Sequence, residues 1–207
     1  MKGQNEVLGR LSVSRETSDR LIILSELLQK WNPRINLVSK KTLDDHWTRH
    51  IMDSAQIFDL APKGLKDWVD IGSGGGFPGL VIAILAAEQE KPLNLTLIES
   101  DQRKCAFLRT VLRETGVPAA VISERIEKAP KQNADILSAR ALADLSTLLG
   151  FCERHLSKNG IALLPKGATW QKEVQDAQES WSFDYVASKS VTDEEAVVLK
   201  VTQIGRV

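Results

Sequence analysis

The 207-residue chain is poor in the residues that mark several functional classes. It has two cysteines, Cys105 and Cys152, with no paired spacing, so both read as reduced thiols of a cytoplasmic protein rather than half of a disulfide framework. Its three histidines are scattered and form no ligand cluster, so no metal is expected. No apolar run approaches the length of a membrane span; the longest, residues 80–87, has eight residues. The opening MKGQNEVLGR lacks the apolar stretch of a secretory signal. Lys plus Arg and Asp plus Glu each number 27, so the net charge is zero. A uniformly basic coat for nucleic acid is excluded, and any basic patch must be local. There are no repeats and no low-complexity segments, and no exposed apolar heptad asks for a partner, so a monomer is expected.

What is present divides at about Pro62. Before it, Leu21, Leu24, Leu28 and Trp31 recur at helical spacing, with Ser14 as a cap and Pro33 as a stop. A second helix is expected to follow Thr42, because TLDD (42–45) fits a capping box. Leu43, Trp47, Ile51, Ser54 and Phe58 make its packing stripe, and His46, Arg49, His50 and Asp53 an adjacent polar one. Residues 1–62 therefore read as a helical extension and residues 63–207 as an α/β domain. In the latter, strands are expected at 68–72, 93–99, 119–123, 134–139 and 160–165, with helices at 79–88, 102–115, 142–155 and about 170–180. That alternation implies a mostly parallel sheet covered on both faces. The tail, WSFDYVASKSV (181–191) then EEAVVLKVTQI (194–204), reads as an antiparallel hairpin. Five parallel strands ending in a hairpin resemble the class I methyltransferase (Rossmann-like) fold more than a nicotinamide-binding domain.

The first strand runs into VDIGSGGGFPG (69–79), with Gly72, Gly74, Gly75, Gly76 and Gly79 within eight positions. A strand ending at Ile71 and a helix opening at Pro78 leave free N–H groups at the mouth of the sheet, and glycine removes the Cβ atoms that would block a ligand. Glu99 ends the next strand and can accept bonds from both hydroxyls of a ribose. GGGFPG also matches the dinucleotide pattern G-x-G-x-x-G, a weak signal alone, and glycines serving only a tight turn are the plain alternative. Asp70, just before the turn, suits the ammonium group of S-adenosylmethionine better than a pyrophosphate. Arg140, in SARALA at the end of the fourth strand, can hold a phosphate, a carboxylate or guanine O6, or else make a structural ion pair with Glu99 or Asp101. Lys166, after the fifth strand, reads as a phosphate contact or an exposed loop lysine.

The segments WNPRINLVS (31–39), RHIMDS (49–54), VDIGSGGGFPG (69–79), LIESDQRKCAFLR (97–109), ERIEK (124–128) and ILSARALADL (136–145) resemble, in order and spacing, the RsmG (GidB) family. These are bacterial enzymes that methylate N7 of one guanine in 16S ribosomal RNA. The similarity covers nearly the whole chain and thins after Lys166. The resemblance implies S-adenosylmethionine as cofactor, with Gly72, Gly74 and Phe77 in its pocket and Glu99 on its ribose. It also implies Ile126 and Glu127 beside the adenine, and Arg140 where cofactor and substrate meet. Without it, Ile126 reads equally as core and Glu127 as a solvated charge. Guanine N7 carries a lone pair and no proton, so no catalytic acid or base is expected. Consistently, the Asn/Asp-Pro-Pro-Tyr and Pro-Cys motifs of other methyltransferases are absent. The 16S RNA or small subunit is then the partner, with Arg49, His50, Arg140 and Lys166 as candidate contacts. Lys30, Arg34, Lys40 and Lys41 supply local positive charge beside Trp31 and Trp47, which read as stacking platforms or as core. The rival readings are a nicotinamide-dependent oxidoreductase and a non-catalytic RNA binder with a vestigial pocket.

Overall fold

A computed structural model describes residues 3–89 and 93–207. The N-terminal helices are α1 (Gln4–Leu11), α2 (Arg15–Ile35), the single turn α3 (Lys40–Leu43), a π-helical segment (Trp47–Met52) and α4 (Asp53–Asp59). Ser14 caps α2 as expected, its Oγ accepting the Thr17 N–H at 3.1 Å. Pro33 does not stop the helix, which runs on to Ile35 and closes at Asn36 in the left-handed region (φ 51°). A proline this late in a helix removes one rung of the ladder, and the Asn36 N–H still reaches Asn32 O at 3.0 Å. The single helix expected after Thr42 is broken in two, the turn α3 and a longer helix whose π-helical first part continues without interruption into α4. Thr42 lies inside α3 instead of capping it, with its hydroxyl on Ser39 O, and a turn at 44–45 separates α3 from the π-helical segment.

Beyond residue 62 the expected order holds: β1 (Asp67–Ile71), α5 (Gly79–Ala86), β2 (Asn94–Ile98), α6 (Gln102–Thr115), β3 (Ala120–Ile122), β4 (Ala134–Ser138), α7 (Leu145–His155), β5 (Leu156–Lys166), α8 (Trp170–Gln178), β6 (Trp181–Lys189) and β7 (Val197–Arg206). They form one seven-stranded sheet in the order β3-β2-β1-β4-β5-β7-β6, parallel except for β7, which runs antiparallel to both neighbours. Helix α7 starts three residues later than its apolar pattern suggests, because Asp144 caps it and accepts the Thr147 N–H at 2.9 Å.

Side chains alternate along each strand, so successive residues enter different cores. Trp68, Leu95, Leu97, Ile136, Ile161 and Leu163 pack on one face, with the N-terminal helices, α5 and α6. Val69, Ile71, Ile98, Leu137, Ala162 and Leu164 pack on the other, beneath α7 and α8. Each such leucine or isoleucine is worth about 1.5–3 kcal/mol when taken out of water. Helix α5 is buried along its whole length, which accounts for its all-apolar GLVIAILA. Leu21, Leu24, Leu28, Trp47 and Ile51 belong to the same cluster as Leu80 and Phe107. The helical extension is therefore a layer of the sheet domain's own core.

Candidate active site

The carboxyl ends of β1, β2 and β4 open into one cleft of about 670 Å³, within the roughly 300–1,000 Å³ usual for ligand pockets. Gly72, Gly74, Phe77, Glu99, Ile126, Glu127 and Arg140 all line it, and so do His50, Leu37 and Val38 from the helical layer.

The glycine run after β1 serves two purposes. Gly74 sits at φ 52°, and a Cβ there would meet nothing nearer than Gly72 O at 3.7 Å, so this position stays open for a ligand. At Gly75 a Cβ would lie 2.9 Å from the Leu37 carbonyl oxygen, so the side chain is missing because protein packs there. The Leu37 segment, between α2 and α3, is held in turn by buried Asn32, whose Oδ1 accepts the Val38 N–H at 2.8 Å. The Phe77–Pro78 peptide is cis, and Pro78 is the residue before α5.

Asp70 does not reach the cleft, which corrects its expected place at a cofactor ammonium group. It is fully buried and accepts the Ser138 Oγ–H at 2.7 Å; Ser138 accepts the Trp68 Nε1–H at 2.9 Å. Its other oxygen lies against Gly79, where a Cβ would approach to 2.7 Å. Burial raises its pKa to about 6 despite the bonds from Ser138 and Ser73. The strand pleat explains the difference from Glu99: Asp70 points under α5 with Trp68, whereas Glu99 has left the end of β2.

Glu99 is the polar fixture of one end. Its Oε2 accepts the Gly74 N–H and its Oε1 the Asp101 N–H, both at 2.8 Å. The carboxylate thus ties the glycine loop to the start of α6, and each oxygen keeps lone-pair capacity for a ligand hydroxyl. Below it, Cys105 Sγ–H donates to Glu99 O at 3.2 Å. Ile126 is buried at the cleft wall and Glu127 is exposed on its rim. The Ile126 carbonyl is fixed by buried His155, whose Nε2–H donates to it at 2.9 Å. Nothing in the sequence around His155 signalled that role, since the two residues belong to distant elements.

Arg140 dominates the other end. Its Nη1 donates to Asp53 Oδ2 at 3.3 Å and to Arg49 O at 3.0 Å, and its guanidinium carbon lies 5.3 Å from the centre of the Phe77 ring. His50 stacks on that ring at 5.0 Å. The ion-pair partner is Asp53 rather than Glu99 or Asp101. Those two are engaged elsewhere, Glu99 on the loops and Asp101 capping α6 and pairing with Arg103 at 3.0 Å. His50 is buried with Nε2 at 2.9 Å from Thr42 Oγ1. Burial, with Arg140 close by, lowers its pKa to about 3, so it stays neutral and is a poor proton acceptor. Burial also lifts the Cys152 thiol to about 12, far from a nucleophile's range.

The remaining candidates separate. Lys166 is buried, donating to Glu173 Oε2 at 2.7 Å and Ala143 O at 3.0 Å, so it braces the loop before α7. Arg49 is exposed and pairs with Asp193 at 3.2 Å. Lys40 and Lys41 are exposed beside the cleft's helical wall. Lys30, Trp31 and Arg34 line a different surface groove, between α2 and α6. Trp47 is entirely buried and cannot stack on a base; it is core.

Residues 17–201 match the pattern of the family described as GidB, rRNA small subunit methyltransferase G. The chain belongs to this family. Among GidB relatives, it is 59% identical over 197 residues to the ribosomal RNA small subunit methyltransferase G of Ruegeria sp. (strain TM1040), covering 95% of this chain and 96% of that one. It is 46% identical over 204 residues to the protein of the same name from Cereibacter sphaeroides (strain ATCC 17029 / ATH 2.4.9), covering 99% of each. The GidB chain also shares its fold with a putative S-adenosyl-L-methionine-dependent methyltransferase from Methanococcus maripaludis. There the TM-score is 0.58 at 10% identity, over 86% of this chain and 91% of that one. This GidB protein is thus a methyltransferase by family, on a class I, Rossmann-like fold. Among its described residues no helix is long and apolar enough to cross a membrane, and no cluster of His, Cys, Asp or Glu could hold a metal.

Proposed function

We propose that this enzyme transfers a methyl group from S-adenosylmethionine to N7 of a guanine in the 16S RNA of the small ribosomal subunit, in the cytoplasm. The observation that carries the reading is the single cleft joining Gly74, Glu99, Ile126–Glu127 and Arg140, whose lining histidine, His50, is held neutral and is a poor proton acceptor. The residues fit such a ligand. Gly74 leaves room at the loop, Glu99 presents oxygens for the ribose hydroxyls, and Ile126 offers an apolar surface to the adenine. When bound there, S-adenosylmethionine supplies a methyl group on a positively charged sulfur, and the N7 lone pair displaces a neutral thioether with no proton to remove.

The chain's own work is then positioning. Glu99 holds the glycine loop and the start of α6 in register. Arg140, clamped by Asp53 and lying on Phe77, fixes the end where donor and acceptor meet. Alignment of that kind supplies about 7–11 kcal/mol of rate acceleration in favourable cases. The helical layer brings the exposed Lys40 and Lys41 beside the cleft and is read as the RNA-contacting part. The test is methyl transfer from labelled S-adenosylmethionine to small-subunit RNA, with the modified base and ring atom mapped. Label at guanine N7 is expected; label on an exocyclic amine or a carbon would refute the mechanism.

A further inference from the structure

Arg140 has a second side. Behind it, at the carboxyl ends of β4 and β5, lies another groove of about 450 Å³, walled by Arg49 and Gln56 on one flank and by the loop between β6 and β7 on the other. It shares only Arg140, Ala141 and Ala143 with the first cleft. We propose that this groove receives the acceptor purine base of the substrate RNA and presents it to the donor cleft across those three residues. The proposal rests on the methyltransferase reading above and deepens it.

Charge is the first argument. Every cation in the groove is already matched: Arg49 by Asp193 at 3.2 Å, Arg140 by Asp53 at 3.3 Å, Lys166 by Glu173 at 2.7 Å. A phosphate needs surplus positive charge, whereas an uncharged ring needs none. Between the pairs the walls mix small and apolar residues, Ala143, Pro165 and Ala196, with uncharged polar ones, Gln56, Ser190 and Thr192.

Preorganisation is the second. The loop is pinned to the helical layer: Thr192 Oγ1–H donates to Asp53 Oδ1 at 2.9 Å, and the Val191 N–H donates to Gln56 Oε1 at 3.0 Å. Gln56 Nε2–H also reaches Asp53 Oδ1 at 2.8 Å. One carboxylate thus holds both the far wall and the arginine at the partition. Ala141, in that partition, sits at φ 51°, a conformation that non-glycine residues adopt rarely.

Donor geometry is the third. Both hydrogen bonds of the Arg140 guanidinium use Nη1, leaving its other N–H groups for a ligand. A two-pronged arginine on O6 and N7 would occupy the nucleophilic lone pair. A guanidinium already held at Nη1 can grip O6 alone and leave N7 exposed.

Ala196→Phe fills the groove from the loop without touching the cofactor cleft. Its cofactor affinity, read by thermal shift and calorimetry with S-adenosylmethionine, is expected to stay within about twofold of wild type, while methyl transfer to small-subunit RNA falls about 100-fold, the loss that misplaced reactants cause. Val186→Phe, on the same hairpin but facing solvent, should transfer at the wild-type rate. Transfer by Ala196→Phe within threefold of wild type would overturn the groove assignment. So would a parallel loss of cofactor binding, because the groove would then not be separate from the donor cleft. A wild type inert toward RNA alongside would refute the functional reading itself, and the groove's occupant with it.

Discussion

The two ends of the cleft are built differently. At the Glu99 end, the contacts run from main-chain N–H groups to one carboxylate, and the glycine loop carries the shape. At the Arg140 end, side chain meets side chain across long stretches of sequence: Arg140 to Asp53, Thr192 to Asp53, Arg49 to Asp193. A backbone-built end tolerates changes of side chain that keep the main chain in place. A side-chain-built end depends on each member, since removing one strands the others in a partly buried setting.

That contrast is sharpest at Asp53. Asp53→Ala leaves Arg140 without its counter-charge and the hairpin loop without its anchor, and should cost about 3–5 kcal/mol of unfolding free energy, read by urea melts. A loss below about 1 kcal/mol would mean the pair is replaceable by water. At the other end, Glu99→Gln keeps the shape but weakens both loop bonds and, on the proposed reading, the ribose contact, and a charged hydrogen-bond acceptor is worth about 1.5–3 kcal/mol. Cofactor affinity measured by calorimetry should fall roughly 10- to 100-fold, with stability less affected. Gly75→Ala places a methyl group against the Leu37 carbonyl and should destabilise by about 1–3 kcal/mol; a neutral result would show that the loop yields easily.

The pH dependence separates two buried groups near Arg140. Asp70 rises from its ordinary 3.8 to about 6, so it holds its proton more tightly when folded. Its contribution is full below about pH 4 and is lost as pH rises through 6. His50 falls from 6.5 to about 3, so its contribution is full above about pH 6.5 and is lost as pH falls toward 3. Between about pH 4 and 6 the two slopes oppose. Asp70→Asn uncovers the His50 slope, and stability should then climb more steeply with pH over that window, checked by melts at pH 4, 5 and 6. The smallest effect is expected at the exposed lysines. Lys40→Glu with Lys41→Glu should weaken RNA binding and make it less steeply salt-dependent, by about one slope unit per lost phosphate contact, with folding untouched.

The sequence made the backbone-built end legible because its signals are local. A β-branched strand, a glycine bend and an acid one strand later are all written within 31 residues, 69–99. The sheet and its terminal hairpin were legible for the same reason: alternation survives the loss of every long-range detail. The Arg140 end was not. Asp53 stood out as one of a polar stripe, but nothing within the sequence paired it with a residue 87 positions away. Lys166 misled in the opposite direction, since a lysine after a strand looks solvent-facing until packing buries it; Trp47, on a packing stripe yet near lysines, read as core or as a stacking platform, and its burial decides for core. The π-helical segment was invisible too. One extra residue in a turn shifts the face that follows without changing the composition that announces a helix.

The carbonyl of Leu37 resting where a Gly75 side chain would stand has a practical result for anyone recombining these enzymes. Exchanging the front helices for those of another methyltransferase would bring a foreign chain against a bend shaped for this one. A working chimera should therefore have to carry both pieces across together, as lock and key cut from the same blank.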